Sequence, residues 1–292
     1  MSSKYKDVRE PAVAGYFYPA DADQLIKQIE QCFISKIGPG SLPTYPTKGV
    51  RNLIGLVSPH AGYIYSGPVA AHGYKYIVSD GLPESFVILG PNHTGVGSGV
   101  SIFPQGMWRT PLGVVDIDYE LANAILKSSG IIDIDTTAHR YEHSIEVQLP
   151  FLQYIYGKAN KSFKFVPIVL MMQDINTALD IGKAIYEGIC EVGRDTVIIA
   201  STDFTHYEPH RVAQEKDKYA IEQILNLNPS GLIREVYERG ISMCGFGPVA
   251  AMLEAARLLG AKKTHLLKYA TSGDVTGDKS SVVAYASIII TK

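Results

Sequence analysis

Short apolar runs rich in β-branched residues alternate with longer amphipathic stretches along most of the 292-residue chain. The predicted strands are 52–58, 85–90, 163–171, 196–202, 265–271 and 281–290. The predicted helices are 23–37, 68–79, 119–129, 143–156, 176–192, 210–226, 230–239 and 248–259. Strands that alternate with helices favour an α/β fold, in which one sheet carries helices on both faces.

A single domain spanning 1–292 fits this organisation best. The only connector rich in proline and glycine is 38–49, and we interpret it as a loop that attaches the first helix to the core. The pentapeptide Gly-Pro-Val-Ala-Ala occurs twice in the chain. We expect it to begin a helix in both places, with Pro68 and Pro248 at the first helical position.

Composition indicates a globular cytoplasmic protein. Hydrophobic residues make up 46% and charged residues 19%, which excludes an intrinsically disordered chain. The 27 basic residues nearly balance the 29 acidic ones, and no basic stripe marks nucleic acid as a partner. The cysteines Cys32, Cys190 and Cys244 form no CxxC pair, which fits a reducing compartment. We identify neither a signal peptide nor an apolar run of the roughly 20 residues that span a membrane, so we expect no membrane partner.

Three histidines follow predicted core strands at the point where each strand ends: His60, His93 and His206. In open α/β sheets, ligands bind beyond the carboxyl ends of the strands. A single histidine is more often structural or merely exposed. Three at equivalent strand ends, however, predict one shared site.

Two further residues are candidates for the same site. Cys244 lies just before a predicted helix, whose N-terminus favours a thiolate, so it is a candidate soft metal ligand or reactive group. Its alternative role is that of a small buried apolar residue. His143 follows His139 by four residues, the spacing of two ligands on one helix face, but Arg140 stands where the zinc-protease motif requires glutamate. His143 is therefore either a polar group of the site or a helix-capping residue.

Other motifs have simpler explanations. Glu142 and Glu146 begin a predicted helix, where the helix dipole favours carboxylates. The stretch 273–280 has the composition of a phosphate-binding loop, but its spacing is wrong and a strand follows where a helix is needed. The chain contains no Gly-x-Ser-x-Gly motif, so a hydrolase with that nucleophile turn is unsupported.

Seven stretches are distinctive as a set. They are REPAVAGYFYPAD at 9–21, SPHAGYIYSG at 58–67, LGPNHTG at 89–95, EHSIEVQLPFL at 142–152, STDFTHY at 201–207, MCGFGP at 243–248 and TSGDVTGDKSSVVAYAS at 271–287. In this order, over nearly the whole chain, they resemble the Memo family. Prokaryotic members of that family look like system protein B of the AmmeMemoRadiSam grouping, which also includes an AMMECR-like protein and a radical-SAM protein. The resemblance makes those two proteins expected partners.

The Memo family is in turn similar to the class III extradiol dioxygenases, non-haem iron(II) enzymes that open catechol rings. This similarity implies a mixed, largely parallel sheet in a phosphorylase/hydrolase-like fold. In those enzymes, two histidines and a glutamate hold the iron. His60 and His93 match the two histidines, whereas Cys244 stands at the third ligand position. The implied metal is Fe(II), with copper and zinc as alternatives because a thiolate makes the site softer.

The same resemblance implies roles for the remaining site residues. His206 matches the acid/base histidine, Asp203 would orient a ligand or His206, and His143 would contact substrate. Three functions remain open: redox chemistry on a small molecule, non-catalytic recognition of a peptide or partner protein in the same pocket, and metal-dependent hydrolysis.

Aromatic side chains near these residues suit either a substrate pocket or an interface. The chain has 18 tyrosines against 9 phenylalanines, and Tyr63, Tyr65 and Tyr207 are close in sequence to the proposed site. Closed symmetry is common among soluble proteins, so we expect a homodimer.

Overall fold

Within residues 8–46 and 51–292, which the computed structural model describes, twelve strands form one sheet. The strands are β1 (Val8–Arg9), β2 (Leu53–Ser58), β3 (Ser85–Pro91), β4 (Val100–Ile102), β5 (Met107–Thr110), β6 (Gly113–Ile117), β7 (Asp133–Ile134), β8 (Lys164–Leu170), β9 (Thr196–Ser201), β10 (His206–Glu208), β11 (Lys263–Thr271) and β12 (Val282–Thr291). The helices are α1 (Ala22–Ile34), α2 (Tyr63–Asp80), α3 (Tyr119–Ser128), α4 (Leu149–Lys158), α5 (Ile175–Val192), α6 (His210–Leu225), α7 (Pro229–Glu238), α8 (Phe246–Leu258) and α9 (Ser272–Thr276). The end of the predicted loop 38–49 lies outside the described residues.

Each predicted strand and helix is confirmed, and the largest differences are at the starts of α2 and α4. The predicted helix 143–156 begins instead with a 3-10 turn, Glu146–Gln148, that leads directly into α4. The strands that were not predicted are β1, β4, β5, β6, β7 and β10, all too short to show a clear period. In the described part of the chain, no helix is both long and apolar enough to cross a membrane.

The sheet is mixed, with a parallel centre. Five neighbouring strands, in the order β6-β8-β3-β9-β2, pair in parallel. Antiparallel strands extend both ends: β5 pairs with β6, β12 pairs with β2, and β10 and β11 pair with β12. The predicted α/β fold class, a largely parallel sheet with helices, is therefore confirmed.

The hydrophobic core is divided by the sheet into two clusters. In β3, Phe86 and Ile88 join the cluster that includes α1, α2 and α4. Val87 and Leu89, which alternate with them, join the cluster on the opposite face, with α3 and α5 to α8. Because helices cover both faces, the central strands are apolar at nearly every position, as their sequences indicate.

The prediction that Pro68 and Pro248 occupy the first helical position is wrong. α2 begins at Tyr63, so Pro68 lies inside the helix, and α8 begins at Phe246, so Pro248 is its third residue. Proline lacks the N–H that would bond to the carbonyl four residues earlier, which here belongs to Ile64. The helix nevertheless continues through Pro68 to Asp80.

Candidate metal centre

Three neighbouring parallel strands deliver the predicted histidines to one edge of the sheet. β9 lies between β3 and β2, and all three point the same way. His60 follows β2, His93 follows β3, and His206 follows the short segment after β9. Cys244 comes from the loop before α8, and its sulfur lies beside His60. The predicted site residues therefore converge from four distant parts of the chain.

His60, His93 and Cys244 form a group that could hold one metal ion. Their ligand-capable atoms all lie within 4.8 Å of one another. The His60 Nε2 and Cys244 Sγ atoms are 3.2 Å apart, and the rings of His60 and His93 are 5.1 Å apart between centroids. Metal–nitrogen and metal–sulfur bonds are about 2.0–2.3 Å long, so donors this close can share one ion.

The hydrogen bonds of His60 leave its Nε2 lone pair free. The Nδ1 atom lies 2.8 Å from the Ser201 hydroxyl, which also accepts a bond from the Gln148 amide at 2.8 Å. Ser201 donates its single proton to the Ser144 carbonyl at 2.6 Å. The hydroxyl must then accept from His60, so Nδ1 carries the ring proton and Nε2 faces Cys244 as an acceptor.

His93 is oriented in the same way by Glu142. Its Nδ1 atom lies 2.9 Å from the Glu142 carboxylate, which also accepts the backbone N–H of His93. A carboxylate only accepts, so His93 also carries its proton on Nδ1. The ring of His143 stacks on that of His93 at 4.6 Å between centroids, and its Nδ1 lies 3.5 Å from the same carboxylate. His143 lies outside the group of His60, His93 and Cys244, but with His93 and Glu142 it forms a second group whose ligand-capable atoms all lie within 4.8 Å of one another.

His206 and Asp203 lie in the segment that follows β9. His206 donates from Nδ1 to the Ser242 carbonyl at 2.8 Å, which again leaves Nε2 free. The Asp203 carboxylate accepts the backbone N–H of His60 at 2.9 Å, and the Asp203 backbone N–H lies 3.2 Å from the Cys244 sulfur. Asp203 therefore supports the loops that carry His60 and Cys244. The His206 ring bonds to Ser242.

Burial keeps two imidazoles of the site, those of His60 and His143, neutral. It lowers the pKa of His60 well below its usual value, and the nearby His143, His93 and His206 add to the effect. Burial likewise lowers the pKa of His143 to about 4, against the attraction of the Glu142 carboxylate. Neutral imidazole is the form that binds metals.

The acidic groups of the site show opposite shifts. Burial alone would raise the pKa of Glu142, but hydrogen bonding and charge from His93, with further help from His143 and Ser144, lower it to about 2. Burial raises the pKa of Asp203 to about 6 despite its bond from His60. Burial and the Asp203 carboxylate raise the pKa of the Cys244 thiol, so a metal ion would have to displace the thiol proton.

Of the three tyrosines expected near the site, one belongs to the hydrophobic core and two are partly or largely exposed. Tyr63 is buried, and its hydroxyl donates to the Val147 carbonyl, so it belongs to the core. Tyr65 is 37% exposed, whereas Tyr207 is 79% exposed and has a φ of 58°, in the left-handed region. That conformation is unfavourable for a bulky residue and is often found at functional sites.

Sequence reasoning missed the residues that orient the histidines. The helix dipole does not explain Glu142 and Glu146, because the main partner of each carboxylate is a side chain. Glu142 binds His93, and Glu146 forms a buried ion pair with Arg9. A carboxylate directly before a candidate histidine was the available signal for Glu142. No sequence signal distinguishes Ser201 from the other polar residues at strand ends.

Arg9 and Glu146 hold the N-terminal segment against residues 139–146, which carry Glu142 and His143. Arg9 also donates to the carbonyls of His139 and Glu142, at 2.9 and 2.6 Å. Glu146 accepts two backbone N–H groups of the N-terminal segment, those of Ala12 at 2.8 Å and the next residue at 3.1 Å. Phe17, further along the same segment, packs against the His143 ring at 4.6 Å between centroids.

Comparison with known proteins agrees with the arrangement of these motifs. A family model described as Memo-like protein matches residues 9–289, which include every residue of the site. The chain belongs to the Memo family. The named family relatives are archaeal, and their descriptions state membership of the MEMO1 family without an activity.

Three relatives illustrate how fully the family sequence is retained. A MEMO1 family protein of Methanopyrus kandleri is 56% identical over 96% of this chain and 98% of its own length. One of Methanothermobacter thermautotrophicus is 52% identical over 96% and 99%. One of Methanocaldococcus jannaschii is 52% identical over 97% and 99%.

A solved structure supports the fold of this Memo family chain. An uncharacterized protein of Escherichia coli K12 matches with a TM-score of 0.51 at 12% identity, covering 81% of this chain and 99% of that one. At this identity, the likeness shows a shared fold alone.

Proposed function

We propose that this Memo family protein binds one metal ion through His60, His93 and Cys244 and performs redox chemistry on a small molecule, as a dioxygenase-like protein. One observation carries the proposal: the three side chains converge to within 4.8 Å. The hydrogen bonds of His60 and His93 support it, because each histidine donates from Nδ1 and keeps Nε2 free for a ligand bond. The similarity to the extradiol dioxygenases makes Fe(II) the first candidate, and the thiolate makes copper or zinc the alternatives.

The other residues would act on the bound molecule. When bound, Fe(II) would supply a redox-active Lewis acid with open coordination positions. The free Nε2 of His206 would accept a proton from the molecule as a general base. His143, stacked on His93 outside the ligand group, would contact the molecule directly. Asp203 would hold His60 in place through the His60 backbone N–H.

Metal content after anaerobic purification tests this proposal. We expect about one equivalent of metal in the wild-type protein and loss of most of it in His60→Ala and in Cys244→Ser, because each removes one of three ligands. His265→Ala is the matched control, since His265 is exposed on β11 and belongs to neither candidate ligand group. The metals would be identified and counted by mass spectrometry.

Two results would separate this proposal from the alternatives. Near-zero metal in the wild type, with no tight binding of added Fe(II), Cu(I) or Zn(II), would contradict it. If metal is bound, oxygen uptake with candidate small molecules distinguishes redox chemistry from metal-dependent hydrolysis, which needs only an activated water.

Recognition of a peptide or partner protein is the second candidate function. Tyr16, Tyr141 and Tyr207 are 88%, 71% and 79% exposed, and each is one or two residues from a residue of the site or from Phe17. A groove of about 490 Å³ is lined by Tyr16, Phe17 and Ile64 beside the site. Exposed tyrosines of this kind are enriched at binding surfaces. A metal-free protein that loses partner binding on Tyr16→Ala, while remaining folded, would favour this function.

A further inference from the structure

Glu142 is a fully buried carboxylate between two histidines of the site. Its Oε1 atom lies 2.9 Å from Nδ1 of His93 and 3.5 Å from Nδ1 of His143. The two imidazole rings stack with an angle of 22° between their planes. Two nearly parallel rings that turn the same nitrogen toward one oxygen atom present their other nitrogens, the Nε2 atoms, on a common side.

The surroundings of Glu142 hold the carboxylate in this position. Oε1 accepts the Ser144 backbone N–H at 2.8 Å, and Oε2 accepts the backbone N–H of His93. Arg9 fixes the Glu142 backbone by donating to its carbonyl at 2.6 Å. These donors bind both oxygens, so the carboxylate is arranged to accept hydrogen bonds from the protein rather than to bind an ion itself.

We propose that Glu142 is the positioning residue of the site, which holds His93 and His143 as a pair with their protons on Nδ1 and both Nε2 atoms facing the bound molecule. The consequence for His93 rests on the proposed function, since it makes that Nε2 a metal ligand. The tautomers themselves are a property of the metal-free protein. Carboxylates that orient metal-binding histidines in this way strengthen metal binding by about 10–100-fold.

The two adjacent rings, those of His93 and His143, have different roles in the proposed site. His93 belongs to the ligand group with His60 and Cys244, whereas His143 shares a candidate group only with His93 and Glu142. A shared carboxylate fixes the offset between the two rings, so the His143 Nε2 is kept at a constant position beside the His93 ligand bond. The pair thereby sets where a bound molecule must place the group that contacts His143.

Long-range proton–nitrogen NMR correlation spectra of the metal-free, ¹⁵N-labelled protein would test the tautomers directly. We expect His93 and His143 to show the Nδ1–H form in the wild type, with His93→Gln and His143→Gln used to assign the signals. In Glu142→Gln, a neutral amide would replace the carboxylate. The amide N–H groups would then lie where a carboxylate oxygen now accepts a backbone N–H, and that hydrogen bond would be lost. We therefore expect loss of the single Nδ1–H tautomer at His93 and about 10–100-fold weaker Zn(II) binding.

Two further variants keep the test decisive. Glu142→Asp retains the charge and should restore part of the tautomer signal and of the affinity, even if Glu142→Gln folds poorly. Asp135→Asn is the matched control, because Asp135 accepts bonds from Ser98 and Thr137 in a nearby loop and contacts no site histidine.

Several outcomes would overturn the proposal. One is an Nε2–H tautomer at His93 in the wild type, and another is a Glu142→Gln variant with unchanged tautomers and affinity. Two equivalents of Zn(II) in the wild type and one in Glu142→Gln would make Glu142 a ligand instead. Absence of any metal binding, with the expected tautomers present, would contradict the proposed function and leave the role of Glu142 supported.

Discussion

The chemistry of the site is decided by hydrogen bonds one layer behind the histidines. His60 bonds to the Ser201 hydroxyl, His93 to the Glu142 carboxylate and His206 to the Ser242 carbonyl, in each case through Nδ1. Each partner accepts, so all three histidines use Nδ1 as the donor, and each neutral ring offers Nε2 as its acceptor. A histidine pattern in a sequence shows that such residues exist, but not which nitrogen each will offer.

Asp217 illustrates how a buried acid behind the site affects stability. It accepts bonds from the Thr205 backbone at 3.1 Å and the Tyr269 hydroxyl at 2.7 Å, and so fixes the segment that carries His206. Burial raises its pKa from 3.8 to about 6, although these bonds act in the opposite direction. The folded protein thus holds the Asp217 proton over a pH range in which the unfolded chain has lost it.

We expect the contribution of Asp217 to stability to fall as the pH rises. It is complete below the unfolded pKa of 3.8 and is lost as the pH passes the folded pKa of about 6. This difference corresponds to about 3 kcal/mol. Urea unfolding should therefore show the free energy of unfolding of the wild type, relative to Asp217→Asn, falling by about 3 kcal/mol between about pH 3 and pH 7.

Asp116→Asn is the matched control for this prediction, because Asp116 lies exposed on β6. Parallel pH profiles for the wild type and Asp217→Asn would show that Asp217 titrates alike in the folded and unfolded chains, contrary to the expectation.

At the scale of elements, the site is an edge of the sheet closed by an N-terminal segment. The segment from Arg9 to Phe17 has little regular structure, yet it touches the 139–146 segment at several points. The buried Arg9–Glu146 ion pair, 3% and 0% exposed, is the strongest of these contacts. The REPAVAGYFYPAD stretch therefore has a structural role: it holds in place the segment that carries Glu142 and His143.

Arg9→Met should destabilise the protein by about 3–5 kcal/mol, because it leaves the Glu146 carboxylate buried without its cation. Methionine also removes the cation–π contact with the Trp108 ring and the bonds to the His139 and Glu142 carbonyls, so the loss reports all the contacts of the guanidinium. Arg109→Met is the control, since the Arg109–Glu10 pair is 46% and 65% exposed and should contribute less than about 1 kcal/mol. Equal losses in both variants, measured by urea unfolding, would contradict this assignment.

At the scale of the whole molecule, the sequence sufficed for the fold class and for bringing the candidate residues to one place, but not for the hydrogen bonds that orient them. Alternating periods predict the strands and helices because burial dictates those periods. The strand-end rule identifies His60, His93 and His206, because parallel strands end at the same edge. The positions of Arg9, Glu142 and Ser201 depend on contacts between segments far apart in the chain, and local patterns carry no record of those contacts.

The two core clusters should unfold together. Side chains of β3 alternate between the clusters, and so do those of β8 and β9, so neither face can lose its strands alone. The single tryptophan, Trp108, reports one cluster, whereas most helices contributing to circular dichroism lie on the other face. We expect the two signals to give the same urea midpoint in metal-free protein. Separate midpoints would mean that the faces unfold independently.

The residues of the site are far apart in sequence, and this separation has a consequence for folding. His60 and Cys244 are 184 residues apart in sequence, and His60 and Ser201 are 141 apart. Closing such long loops costs chain entropy that only an assembled sheet can offset. We therefore expect the site to form late in folding, after β2, β3 and β9 have paired. If Co(II) binds to these side chains, its absorption spectrum should therefore appear during refolding only when the sheet has formed.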